Sequence, residues 1–128
     1  MFLGLRTVIY PAPDLEVSKA WFSTLLGVEP YFDQPFYVGY DVGGYELGLD
    51  PNSAPAEGPV TYWGVPEVDV ALAALVAAGA TGASDITDVG DGIRVATVRE
   101  IGGALLGIIE NPRFEARERP ADAVGPGR

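Results

Sequence analysis

The sequence predicts an α+β fold built from two tandem βαβββ modules. Three observations lead there. The order strand, helix, three strands occurs twice in 128 residues. A strand-to-helix junction, APDLE at 12–16, returns as VPEVD at 65–69, 53 residues later. A last-strand word, GYELGLD at 44–50, returns as GALLGII at 103–109. Agreement in order, spacing and element type marks a duplicated unit.

Each element follows from local chemistry. LRTVIY (5–10) is dense in β-branched and aromatic residues and reads as a strand. In PAPDLEVSKAWFSTLLG, Asp14 is placed to cap the open amides of a first helical turn. Glu16 suits the positive end of the helix dipole, and Gly27 supplies a stop. Leu15, Phe22, Leu25 and Leu26 recur at helical spacing, which predicts a helix from about Leu15 to Leu26 with that face on a sheet. VEPYFD, FYVGYDV and YELGLDP follow as short strands divided by Gln34-Pro35 and Gly43-Gly44, and PNSAPAEG (51–58) is a linker. VTYWGVPEV then reads as a strand and VDVALAALVAAG as a helix closed by Gly79. Further strands are expected near ASDITDV, IRVATVRE and ALLGIIE. The expectation is one domain over 1–112, with modules at about 3–52 and 58–112. A flexible tail at 113–128 follows, its RFEARERPADAVGPGR mixed in charge and rich in Pro, Gly and Ala.

Composition narrows the function. At 48% hydrophobic and 20% charged the chain is globular, and no apolar run reaches the ~18 residues of a membrane-spanning helix, so no membrane partner is expected. The start MFLGLRTVIY carries no basic leader, and the expected location is the cytoplasm. Cysteine and histidine are both absent, which removes disulfides, thiolate and imidazole nucleophiles, and the commonest zinc ligands. A metal would rest on Asp and Glu; a base would be a carboxylate, Tyr, Lys or backbone. The net charge of −10 repels phosphate backbones, so nucleic acid is not an expected partner; the charge either serves solubility alone or attracts a cationic small molecule.

The duplicated βαβββ order, the [V/A]-P-[D/E]-[L/V]-[D/E] junctions and a first helix ending LLGVEP together resemble the vicinal oxygen chelate superfamily. That group includes glyoxalase, bleomycin-resistance proteins and extradiol dioxygenases, and the resemblance spans about residues 3–112. It implies a glyoxalase-like fold whose curled mixed sheets enclose a cavity, and a homodimer. In metal-dependent members it implies one ligand from the first and one from the last strand of each module. Matched onto this sequence, those positions are Thr7, Val60, Gly107 and either Gly48 or Glu46. Thr, Val and Gly do not offer the imidazole and carboxylate donors that a tightly held transition metal requires. No metal and no cofactor are therefore expected, and no catalytic residue is assigned. What the resemblance then implies is a metal-free protein of the bleomycin-resistance type, binding and sequestering a small cationic or aromatic molecule. The alternative is a lyase, isomerase or dioxygenase using Glu46 or a tyrosine as acid/base, or an atypical metal site; whether the protein is an enzyme stays open.

If Thr7 faces inward, alternation puts Leu5, Ile9 and Pro11 on its side and turns Val8 and Tyr10 toward the helix. Val60, Tyr62 and Gly64 then also face in, as do Leu105, Gly107 and Ile109, and Glu46, Gly48 and Asp50. The candidate ligand-binding residues are Thr7, Ile9, Tyr40, Glu46, Gly48, Val60, Tyr62, Arg94 and Gly107. The strand glycines either leave room for a ligand or relieve strand curvature. The aromatic series Tyr31, Phe32, Phe36, Tyr37, Tyr40, Tyr45, Tyr62 and Trp63 reads mainly as core or dimer interface, with one or two stacking faces for a planar or cationic ligand. Glu46 has three open readings: a solvated rim residue, a partner of Arg94 or of a bound cation, or a general base.

Overall fold

Asp14 begins the first helix as its chemistry predicts. Its carboxylate accepts the Val17 amide at 3.3 Å, and α1 runs over Leu15–Leu26, the span expected from the sequence. Gly27 ends it at φ 71°, a left-handed conformation that costs a glycine little, with its N–H on the Ser23 carbonyl. The computed structural model describes residues 1–116. From residue 117 on, the tail expected to be flexible lies outside the described residues.

The strands are β1 (Gly4–Pro11), β2 (Phe32–Gln34), β3 (Tyr37–Val42), β4 (Tyr45–Asp50), β5 (Val60–Gly64), β6 (Thr87–Gly90), β7 (Ile93–Arg99) and β8 (Leu105–Glu110). The second helix, α2, is Val68–Ala77, and the linker holds a short 3-10 turn at Pro55–Glu57. The chain divides into two compact units. Among the described residues the first is Val8–Pro59 with Glu115 and Ala116; the second is Met1–Thr7 with Val60–Phe114. Strand β1 contributes to both. In the first unit the order is β2-β3-β4-β1, and in the second β1-β5-β8-β7-β6, where β5 and β8 run parallel and the pairs β7/β8 and β6/β7 antiparallel.

Each unit packs one sheet face on its own helix. In the first, Val38, Tyr40 and Leu49 meet Ala12 and Leu15, with Phe22, Leu26, Val42 and Leu47 packed around them. In the second, Ala96 and Ile108 meet Val65, Val68 and Ala71, with Leu72, Leu75 and Leu106 around them. Burial of such side chains contributes roughly 1.5–3 kcal/mol each for the larger ones. No helix among the described residues is long and apolar enough to cross a membrane.

Three elements differ from the sequence expectation. Strand β2 starts at Phe32 rather than Val28: Pro30 offers no amide to a ladder, and Val28 packs on the first core instead. Strand β5 stops at Gly64, since Val65 turns into the second core to start the approach to α2. Strand β6 begins only at Thr87, and its register shifts between Asp88 and Gly90, the latter at φ 97°. A bulge on an exposed edge strand of this kind discourages pairing with another chain.

Candidate functional site

Register decides which residues of the first unit share a face. Strands β3 and β4 pair Gly39 with Gly48 and Asp41 with Glu46. The alternate residues Val38, Tyr40, Leu47 and Leu49 point to α1, so Gly39, Asp41, Glu46 and Gly48 occupy the opposite face. Tyr31 enters that face from the loop before β2. Its N–H donates to the Gly39 carbonyl at 3.0 Å, and its hydroxyl donates to Glu46 Oε2. The contact requires a glycine at 39, because a Cβ there would stand 2.9 Å from Glu46 Oε2 and 3.1 Å from the Tyr31 ring. Partial burial of the hydroxyl lifts the Tyr31 phenol well above its ordinary pKa, and the bond to Glu46 and the charges of Glu46 and Asp41 act in the same direction. Tyr31 is therefore a proton donor throughout the neutral range.

Gly48, a candidate for leaving ligand space, has its space filled. A Cβ there would lie 2.0 Å from the Tyr37 hydroxyl oxygen, so Tyr37 on β3 delivers a phenol to the place where a side chain of residue 48 would begin. Gly107 in the second unit is used in the same way. A Cβ there would lie 2.4 Å from the Tyr62 ring, with Tyr62 and Gly107 in register across β5 and β8. In both units the glycine of the last strand makes room for a tyrosine.

The remaining candidates fall in different places. Thr7 and Val60 are buried, each 6% exposed, and Ile9 is half-buried. Tyr40 is fully buried on the α1 face of the first unit, its hydroxyl 2.7 Å from Ser23 Oγ and donating to the Lys19 carbonyl at 2.9 Å. It belongs to the core and not to the face of Glu46, because its strand position has the opposite parity. Arg94 donates to Glu110 at 2.7 Å and to Asp69 at 3.3 Å, two carboxylates of its own unit beside the start of α2. Those bonds make it a structural cation. Glu46 is thus a partner of the Tyr31 phenol, a pairing that sequence reasoning missed, as it missed the placement of Tyr37. The available signal was the alternation Tyr37, Gly39, Asp41 on β3, which needs the register with β4 to become meaningful.

The positions that the family resemblance assigns to metal ligands do not fit a transition metal. In the second unit Thr7, Val60 and Gly107 offer one hydroxyl among them. In the first, Gly48 offers no side chain, and the Glu46 carboxylate accepts the Tyr31 proton. Among the described residues no three His, Cys, Asp or Glu side chains gather where an ion could be held. No step of the chemistry is routed through a metal.

No family model and no curated protein matches the sequence. Solved structures do match. Methylmalonyl-CoA epimerase from Streptomyces coelicolor, in complex with 2-nitronate-propionyl-CoA, is similar at 15% identity and a TM-score of 0.69, over 91% of this chain and 99% of that one. Methylmalonyl-CoA epimerase from Mycobacterium tuberculosis is similar at 18% identity and a TM-score of 0.65, over 95% and 92%. A glyoxalase/bleomycin resistance protein/dioxygenase superfamily member from Vibrio splendidus 12B01 is similar at 18% identity and a TM-score of 0.62, over 83% and 97%. This chain has an α+β, glyoxalase-like fold. At these identities the likeness is one of fold.

Proposed function

We propose that the protein binds and sequesters a small organic cation, without a metal, on the face of the first unit that carries Tyr31 and Glu46. The observation that carries this reading is the Tyr31–Glu46 hydrogen bond, which holds a carboxylate in place beside phenol rings. Aromatic faces and an oriented carboxylate both attract positive charge. In this reading the protein acts as bleomycin-resistance proteins do, by capture rather than conversion. It works as a cytoplasmic homodimer, for which Val17 and Trp21, one turn apart on α1 and 64% and 59% exposed, supply apolar surface. Size-exclusion chromatography with light scattering checks the dimer.

Thermal-shift screening against aromatic and aliphatic cations and their neutral isosteres tests the binding, since a ligand selective for the native state raises the melting temperature. Cations should stabilise and isosteres should not. Glu46→Gln should remove the stabilisation while leaving the unliganded melting temperature near that of the parent. An unchanged shift at low salt in Glu46→Gln would sink the reading.

A second reading, proton transfer to a bound substrate, is favoured by the same bond. Tyr31 holds its proton and Glu46 accepts, so the pair has the makings of an acid and a base. The epimerases of similar fold make methylmalonyl-CoA the first substrate to try. The net charge of −10 disfavours an anionic thioester, so no incorporation of solvent deuterium into methylmalonyl-CoA is expected. Incorporation that Glu46→Gln abolishes would establish turnover in place of capture.

A further inference from the structure

Arg6 differs from two other arginines of the second unit. Arg94 is held by Glu110 and Asp69, and Arg113 lies 4.0 Å from Asp91. Among the described residues no carboxylate comes within ion-pair distance of Arg6, although Asp and Glu outnumber Arg in that unit. Its guanidinium makes one hydrogen bond, from Nη1 to the Leu5 carbonyl at 3.0 Å. Nε and Nη2 have no acceptor among the described residues. No described side-chain nitrogen that lacks an acceptor is buried, so this edge of the half-buried Arg6 opens to solvent.

The group is nevertheless fixed. Nε, Cζ and Nη2 stand 2.6, 2.7 and 2.9 Å from the Cβ position of Gly64, so the guanidinium lies flat on a strand backbone that carries no side chain there. The Phe114 ring stacks on it, its centroid 3.7 Å from Cζ. A ring face attracts the charge but accepts no hydrogen bond in the plane of the guanidinium. Stacking therefore sets the orientation of the Nε–Nη2 edge, keeps water from the faces of the cation and leaves the donors of that edge unused.

We propose that the Nε–Nη2 edge of Arg6 is a binding site for the carboxylate of a small organic acid. Parallel N–H donors on one edge match the two oxygens of a carboxylate. A side chain already held in place loses less freedom when the ligand arrives. One guanidinium neutralises one carboxylate, whereas a phosphate dianion keeps a surplus charge that the net −10 of the chain opposes. The site lies in the second unit and does not rest on the cation-binding reading of the first.

Isothermal titration of the full chain with benzoate, neutral benzamide and inorganic phosphate at low salt tests the assignment. Benzoate should bind, phosphate more weakly, and benzamide not at all. Arg6→Lys keeps the charge and loses the fork, and should weaken benzoate on the order of tenfold, the size of one charged hydrogen bond. Should Arg6→Lys fail to fold, Gly64→Ala puts a Cβ where the guanidinium lies and should also weaken benzoate. Benzoate affinity that is absent in the parent, or unchanged in both variants, overturns the proposal and leaves Arg6 the task of fastening Phe114. Benzamide or phosphate binding as tightly as benzoate overturns the carboxylate assignment too. Absence of benzoate binding leaves the cation reading standing, and failure of the cation screen leaves this site standing.

Discussion

Glu110 caps a helix that begins 42 residues before it: its Oε1 accepts the Val68 amide at 3.0 Å and the Arg94 guanidinium at 2.7 Å. Glu67, at the N-cap position of α2, makes no side-chain cap, so the last strand supplies the anion that the helix start favours. Glu110→Ala should lower stability by about 1–2 kcal/mol, the cost of a lost cap and a lost charged hydrogen bond. The check is a lower urea midpoint at unchanged slope. Glu110→Gln, which keeps an acceptor, should lose less.

The same cluster sets an acid-side pH dependence. The Arg94 hydrogen bond, and after it the Val68 amide, hold the Glu110 carboxyl below its ordinary value. The Asp69 carboxyl is lowered too, first by its own backbone amide and then by Arg94. A folded-state pKa below the unfolded one gives stability that is complete above the unfolded value, near about 4, and is lost as pH falls through the folded value. Urea midpoints measured from pH 7 down to pH 3 should therefore fall more steeply for the parent than for Arg94→Met. Parallel curves would show that Arg94 does not act on these carboxyls.

Tyr40 and Glu46 lie on opposite faces of one sheet, so their substitutions should separate stability from binding. Tyr40→Phe removes the hydroxyl bonded to Ser23 and to the Lys19 carbonyl, and should cost about 1 kcal/mol in urea unfolding with the cation-induced thermal shift unchanged. Glu46→Gln should do the reverse. A loss of affinity in Tyr40→Phe would mean that the two faces are coupled.

Gly107 makes room for the Tyr62 ring. Gly107→Ala places a Cβ where ring atoms stand 2.4 to 2.6 Å away, so the ring must move, at a cost of about 1–3 kcal/mol. If the cost is the clash, the double variant Tyr62→Ala/Gly107→Ala should be less destabilised than the two single losses summed. Additive losses in a double-mutant cycle would place the penalty in the backbone instead.

The sequence by itself determined what depends on neighbours a few residues apart. Asp14 and Gly27 bracket α1, alternating side chains mark β4, and short apolar, β-branched runs mark β7 and β8, because caps, periodicities and propensities act through local geometry. The repeat of the strand-to-helix junction carried the fold class, and alternation rightly set Glu46 and Gly48 on one face. Tertiary structure alone decided what those residues meet. A one-residue change of register exchanges the faces of a strand, so only the pairing of β3 with β4 shows that Tyr40 is core and that Tyr37 covers Gly48. Tyr31 reaches Glu46 across 15 residues, and Arg94 is claimed by Glu110 across 16. Such partners are chosen by the path of the chain through space, which no local period records.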